Sequence, residues 1–176
     1  MRNNLTLILI AFIISSLGLN AQKIDSQDSR VLFEVGNLKI NTVEGSFKGM
    51  RGNVKFNPSE IAKAEFDVCV DAATVDTDNS KRDEHLRSEE FFNPGKFPKI
   101  CIEVVRIQKD GDKYMANSRL TMLGVTRDVL IPFTFSDQTL KGTFSIQRLN
   151  YGLGADTSTF MISNEVEITI ICKLQI

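Results

Sequence analysis

Glu165–Ile176 reads EVEITIICKLQI. Val166, Ile168, Ile170, Cys172, Leu174 and Ile176 fall on one side of an extended chain, and Glu165, Glu167, Thr169, Lys173 and Gln175 on the other. Successive side chains of a β-strand point to opposite faces, so this alternation predicts a strand with one buried and one wetted face. The same period runs upstream through Val31/Phe33/Val35, Val43/Gly45/Phe47 and, in AEFDVCVDA, Phe66/Val68/Val70. It returns in Ile100/Ile102/Val104, Leu120/Met122, Val129/Ile131/Phe133/Phe135 and Phe144/Ile146. Turn signals such as Asn57-Pro58-Ser59 and Leu123-Gly124 separate these segments. With Val54 and Phe56 included, about eight to nine short strands at this spacing predict an all-β fold, either a sandwich or a closed antiparallel barrel.

Composition narrows the function. The 176 residues are 42% hydrophobic and 24% charged, an ordinary globular balance. Net charge is −1 and no Lys/Arg cluster stands out, which argues against nucleic-acid binding. One His and three Cys leave few ligands for a metal, and no cofactor motif is present. Gly152–Asp156 (GLGAD) lacks the helix and the Lys of a phosphate loop, and Asp76, Asp78 and Asn79 lack the ligand order of a calcium loop. Twelve Phe stand against two Tyr and no Trp. A barrel interior built from such residues holds something greasy or is filled by its own side chains. An outer-membrane barrel would need Tyr/Trp girdles, so stable membrane insertion is not expected.

Two segments break the alternation. Met1 and Arg2, the apolar run Leu5–Ile14 and the small, polar stretch from Ser15 to Ala21 form the three parts of a secretory signal peptide. Leu19 and Ala21 at the −3 and −1 positions place cleavage after Ala21, leaving residues 22–176 as one exported domain. No Cys stands at the junction to accept a lipid anchor. The second break, DTDNSKRDEHLRSEEFFNPGKFP from Asp76 to Pro98, predicts a short helical excursion over residues 80–92. Ser80 is placed to cap it, Asp83 and Glu84 suit its first turn, and Asn93-Pro94-Gly95 ends it. Its adjacent Phe91 and Phe92 need apolar cover. His85 has no sequence neighbour that would make it a general base and reads as part of a polar surface network. Cys69 and Cys101 lie on consecutive strands joined by this excursion. A cross-strand disulfide and two free thiols are both open for them, an exported chain permitting the former.

KRDEHLRSEEFFNPGKFPKI (Lys81–Ile100) resembles the signature run of the YceI family of bacterial periplasmic, lipocalin-like proteins. Four further segments match in order: KID at Lys23–Asp25, the S-x-V-x-F-x-V strand at Ser29–Val35, INTVEGSF at Ile40–Phe47 and LTMLGVT at Leu120–Thr126. NYGLG before the final strand also fits. Asn37 and Leu123 depart from the family pattern, each standing where His is common. The resemblance implies an eight-stranded lipocalin-like barrel with a hydrophobic lumen and does not imply catalysis. The ligand it implies is a polyisoprenoid or similar long-chain lipid.

Joined to the alternation, this assigns the lumen to Phe33, Val35, Phe47, Phe66, Val68, Ile102, Met122, Phe133, Phe144, Ile146, Ile168 and Ile170. Phe91, Phe92 and Phe97 would close one end. The alternative is a stress-related periplasmic module docking on a membrane redox protein; an enzyme is disfavoured because no nucleophile–base pair is visible. A homodimer is compatible with the sequence, which names no interface. If the leader is cleaved as expected, the intact mass of the exported protein corresponds to a chain starting at Gln22; retention of residues 1–21 would contradict that reading.

Overall fold

The computed structural model describes residues 21–38 and 40–175; the expected leader, apart from Ala21, and Ile176 lie outside the described residues. Nine strands form one antiparallel sheet: β1 (Arg30–Asn37), β2 (Asn41–Phe47), β3 (Arg51–Lys55), β4 (Glu65–Asp71), β5 (Lys99–Asp110), β6 (Lys113–Met122), β7 (Val125–Ser136), β8 (Thr139–Gln147) and β9 (Ile162–Lys173). One helix, α1 (Ser80–Leu86), lies between β4 and β5. The spatial order is β2-β1-β9-β8-β7-β6-β5-β4-β3. Leu123-Gly124 and Asp137-Gln138 all take positive φ, matching the two-residue turns that keep the twist of flanking strands. The apolar face of the curled sheet is the core. Val54, Leu120, Leu140 and Leu174 are buried on it.

Two sequence expectations change here. There are nine strands rather than the eight that the resemblance implies, Arg51–Lys55 pairing with β4 as a strand of its own. The sheet is also not closed by a ladder between its edges, β2 and β3. The reason is local. Ser46 on β2 exchanges both backbone hydrogen bonds with Asp76, at 2.8 and 3.0 Å. On β3, the Val54 carbonyl accepts from the Gln22 N–H at 2.7 Å, and the Phe56 N–H donates to Gln22 Oε1 at 2.9 Å. Segments outside the sheet thus take the edge positions that a ninth ladder would have used.

The excursion is held by its charged side chains. Asn79, not Ser80, caps α1: its Oδ1 accepts from the Arg82 N–H at 3.1 Å, and Ser80 becomes the first helical residue. The buried Asp83 carboxylate accepts from the Thr77 N–H at 2.9 Å and from the Thr77 hydroxyl. Arg87 donates to the carbonyls of Ala73 and Val75 at 2.8 and 2.6 Å. Phe91 and Phe92 are buried, and the Phe92 ring meets Phe47 edge-on at 5.0 Å.

Cys69 and Cys101 stand directly opposite each other on β4 and β5 and form a disulfide with Cα atoms 4.1 Å apart. The bridge closes the chain segment that carries the whole excursion, with a sequence separation of 32. Loop-closure entropy for a ring of that length is worth roughly 3–4 kcal/mol. Replacing both cysteines by Ala is expected to lower the unfolding free energy by about that amount in urea titration; an unchanged midpoint would show that the bridge adds nothing.

Candidate ligand cavity

The inside of the curled sheet has two unlike ends. At one end Phe56, just after β3, sits at the centre of an aromatic cluster. Its ring lies 5.1 Å from Tyr114, 5.2 Å from Phe135, 5.6 Å from Phe133 and 5.7 Å from Phe66, mostly edge-to-face. This is close packing of the kind that fills a core. At the other end a cavity of about 390 Å³ remains, within the range of ordinary ligand pockets.

Most residues assigned to the lumen border this cavity. Phe33 and Val35 come from β1, Phe47 from β2, Val68 from β4 and Ile102 from β5. Met122 comes from β6, Phe144 and Ile146 from β8, and Ile168 and Ile170 from β9, while Phe91 and Phe92 form a wall from the excursion. Three assigned residues stand elsewhere. Phe66 and Phe133 belong to the aromatic cluster, 6.2 Å apart, because Phe56 and Tyr114 fill the tube at their level. Phe97 packs on the β6–β7 turn, where a Cβ added to Gly124 would lie 3.1 Å from its ring, and Lys96 Nζ lies 5.3 Å from the ring centre.

The alternation missed several residues of the wall. Met50, Leu153 and Met161 border the cavity from turns and Leu86 from the end of α1, where no strand alternation exists to reveal them. Asn37, one of the family departures, is also on the wall. Arg148 is the largest omission. It is 2% exposed and directs all five N–H groups to carbonyls: Nε to Ser163, Nη1 to Leu153 and Gly154, Nη2 to Thr157 and Ile162, at 2.7–3.1 Å. Burial lowers its pKa, but its donors are saturated, so it frames the rim rather than offering a hydrogen bond to a ligand.

The Arg82 and His85 side chains on the wall are also engaged. Arg82 donates to the hydroxyl and the carbonyl of Thr77, both at 2.8 Å. His85 Nε2 lies 3.0 Å from a Glu90 carboxylate oxygen, and its ring meets Phe91 at 4.9 Å. No Asp or Glu borders the cavity among the described residues. Nor do the described residues bring together three His, Cys, Asp or Glu side chains able to hold a metal ion. The arrangement is chemically an apolar container with a rigid rim.

A β-sheet curled around an apolar cavity defines the class as a lipocalin-like barrel. The sequence model of the YceI-like domain matches residues 22–174, and the chain belongs to that family. A UPF0312 protein of Photorhabdus laumondii is 32% identical over 108 residues, 61% of this chain and 56% of that protein. A UPF0312 protein of Yersinia pseudotuberculosis is 31% identical over 114 residues, 65% of this chain and 59% of that protein. The chain therefore aligns with less than two thirds of the length of these relatives. Among solved structures, Burkholderia cenocepacia BcnA superposes with a TM-score of 0.77 at 23% identity, covering 85% of this chain and 98% of that one. A polyisoprenoid binding domain from Saccharophagus degradans superposes with a TM-score of 0.65 at 16% identity, covering 86% and 96%. These likenesses show the fold.

The third cysteine, Cys172, is buried on the inner face of β9, and burial pushes its thiol pKa up to about 11. The folded protein keeps its proton where the unfolded chain loses it. Its contribution is therefore complete below pH ~9 and declines as pH rises toward ~11, by up to about 2–3 kcal/mol. Cys172→Ala is expected to flatten that alkaline loss, measured as the urea midpoint across pH 8–11; an identical pH profile would contradict the assignment.

Proposed function

We propose that this protein is an exported, non-catalytic carrier that holds a polyisoprenoid or similar long-chain lipid in the cavity between β1, β5, β8 and β9. The observation that carries the reading is the cavity itself: about 390 Å³, walled mostly by Phe, Ile, Val and Met, with the guanidinium groups on its wall engaged in protein hydrogen bonds. Burying ten methylene groups there is worth roughly 8 kcal/mol before ordering costs, enough for micromolar binding or better. Membership of the YceI-like family and the likeness to a polyisoprenoid binding domain support a lipid as the guest. The absence of a nucleophile–base pair on the cavity wall favours holding over turnover. The leader-like residues 1–21 favour a site of action outside the cytoplasm.

Native mass spectrometry of the protein from the periplasm of its own cell, followed by organic extraction, is expected to show one long-chain adduct per chain. Ile102→Trp, which fills the cavity from β5, is expected to lose the adduct while keeping the β-sheet circular-dichroism signal. A clean apo mass that takes up no added isoprenoid would overturn the carrier reading and favour a module that docks on a protein partner.

A further inference from the structure

The protein leaves seven large apolar side chains exposed among its described residues, and five stand on adjacent loops at one end of the sheet: Leu38, Ile40, Leu149, Phe160 and Met161. Ile40 is 82% exposed and Phe160 59%. The first pair occupies the β1–β2 turn; Phe160 and Met161 precede β9; Leu149 follows β8. The Leu38 N–H donates to the Met161 carbonyl at 2.9 Å, and the Leu149 N–H to Asn164 Oδ1 at 3.0 Å, so the three loops are tied together. The patch is continuous with the cavity, because Asn37, Thr157 and Met161 line both its wall and this rim.

Turn formation does not explain the residue at position 38. Leu38 has φ of 51°, a conformation in which turns prefer Asn or Gly. Leu123, at 53° in the β6–β7 turn, packs against the core, whereas Leu38 is 38% exposed at the rim. Acids are few in the loop before β9: between residues 149 and 162 the sole one is Asp156. The exposed Arg127 flanks the patch, donating to the Asn150 carbonyl at 3.3 Å. Apolar loop tips beside an exposed Arg suit an anionic lipid surface, into which they insert while the guanidinium meets headgroup phosphates.

We propose that this rim docks the protein on an anionic bilayer with the cavity mouth facing the membrane, so that the guest passes between bilayer and cavity without crossing water. The proposal rests on the carrier reading for its purpose but is tested separately from it. Flotation with phosphatidylcholine/phosphatidylglycerol vesicles is compared for the wild-type protein and the double variant Ile40→Asp/Phe160→Asp. Uptake of a fluorescent long-chain prenol is followed from those vesicles and from cyclodextrin. The expected result is that the variant binds vesicles at least about tenfold more weakly and takes up the prenol more slowly from vesicles. From cyclodextrin, uptake stays unchanged. Vesicle binding that is absent in the wild type, or equal in both proteins, overturns docking. So does a variant whose main effect is to split a dimer in sedimentation, which would assign the rim to a second copy. Failure of the wild type to take up the prenol from cyclodextrin would instead overturn the carrier reading.

Discussion

The two edges of the curled sheet, β2 and β3, would each expose unpaired backbone if nothing met them, and the rest of the molecule is arranged around meeting that need. Gln22 bonds to Val54 on one edge, and Asp76 exchanges two bonds with Ser46 on the other. The second contact does more than pair an edge. It fixes the start of the excursion, whose Asp83–Thr77 and Arg87–Val75 bonds then set where Phe91 and Phe92 enter the interior. The disulfide at the foot of the same segment holds β4 against β5. One wall of the cavity therefore follows from how an edge of the sheet is satisfied.

The interior divides into a packed and an open end. Phe56, Phe66, Tyr114, Phe133 and Phe135 meet across the tube at one end. At the other, Phe33, Phe47, Phe92 and Phe144 stand on the wall among Val, Ile and Met, and a gap remains between them. A void of this kind ordinarily costs on the order of several kcal/mol through lost contacts, so a guest that fills it stabilises the fold. Arg148 keeps the rim from collapsing into it. Its guanidinium supplies five hydrogen bonds to carbonyls of the loop after β8 and of the first two residues of β9. A buried cation is tolerable there only because every donor is used.

The strands and most of the cavity wall were legible because alternation reports which side of a strand is wet. Val68, Ile102 and Ile168 sit on the wall for the reason that their positions in AEFDVCVDA, KICIEVV and EVEITII suggest. Alternation says nothing about depth along the tube, so Phe66 and Phe133 were read as lumen although they lie in the packed end. It also says nothing of turns, which hid Arg148 and Leu153, and nothing of edges, which made an open sheet look like a closed barrel. The Asn79 cap was displaced by one residue from the expected Ser80 because both residue types cap well and only geometry separates them.

The central claim is that one end of the barrel is solid and the other is a container. A crystal structure of the protein grown with a long-chain prenol tests it directly. The account expects continuous density between Phe33, Phe92, Ile102 and Ile168, stopping short of the Phe56 ring. Inward rotation of those side chains to close the gap, with the prenol absent or bound only outside the sheet, would contradict it.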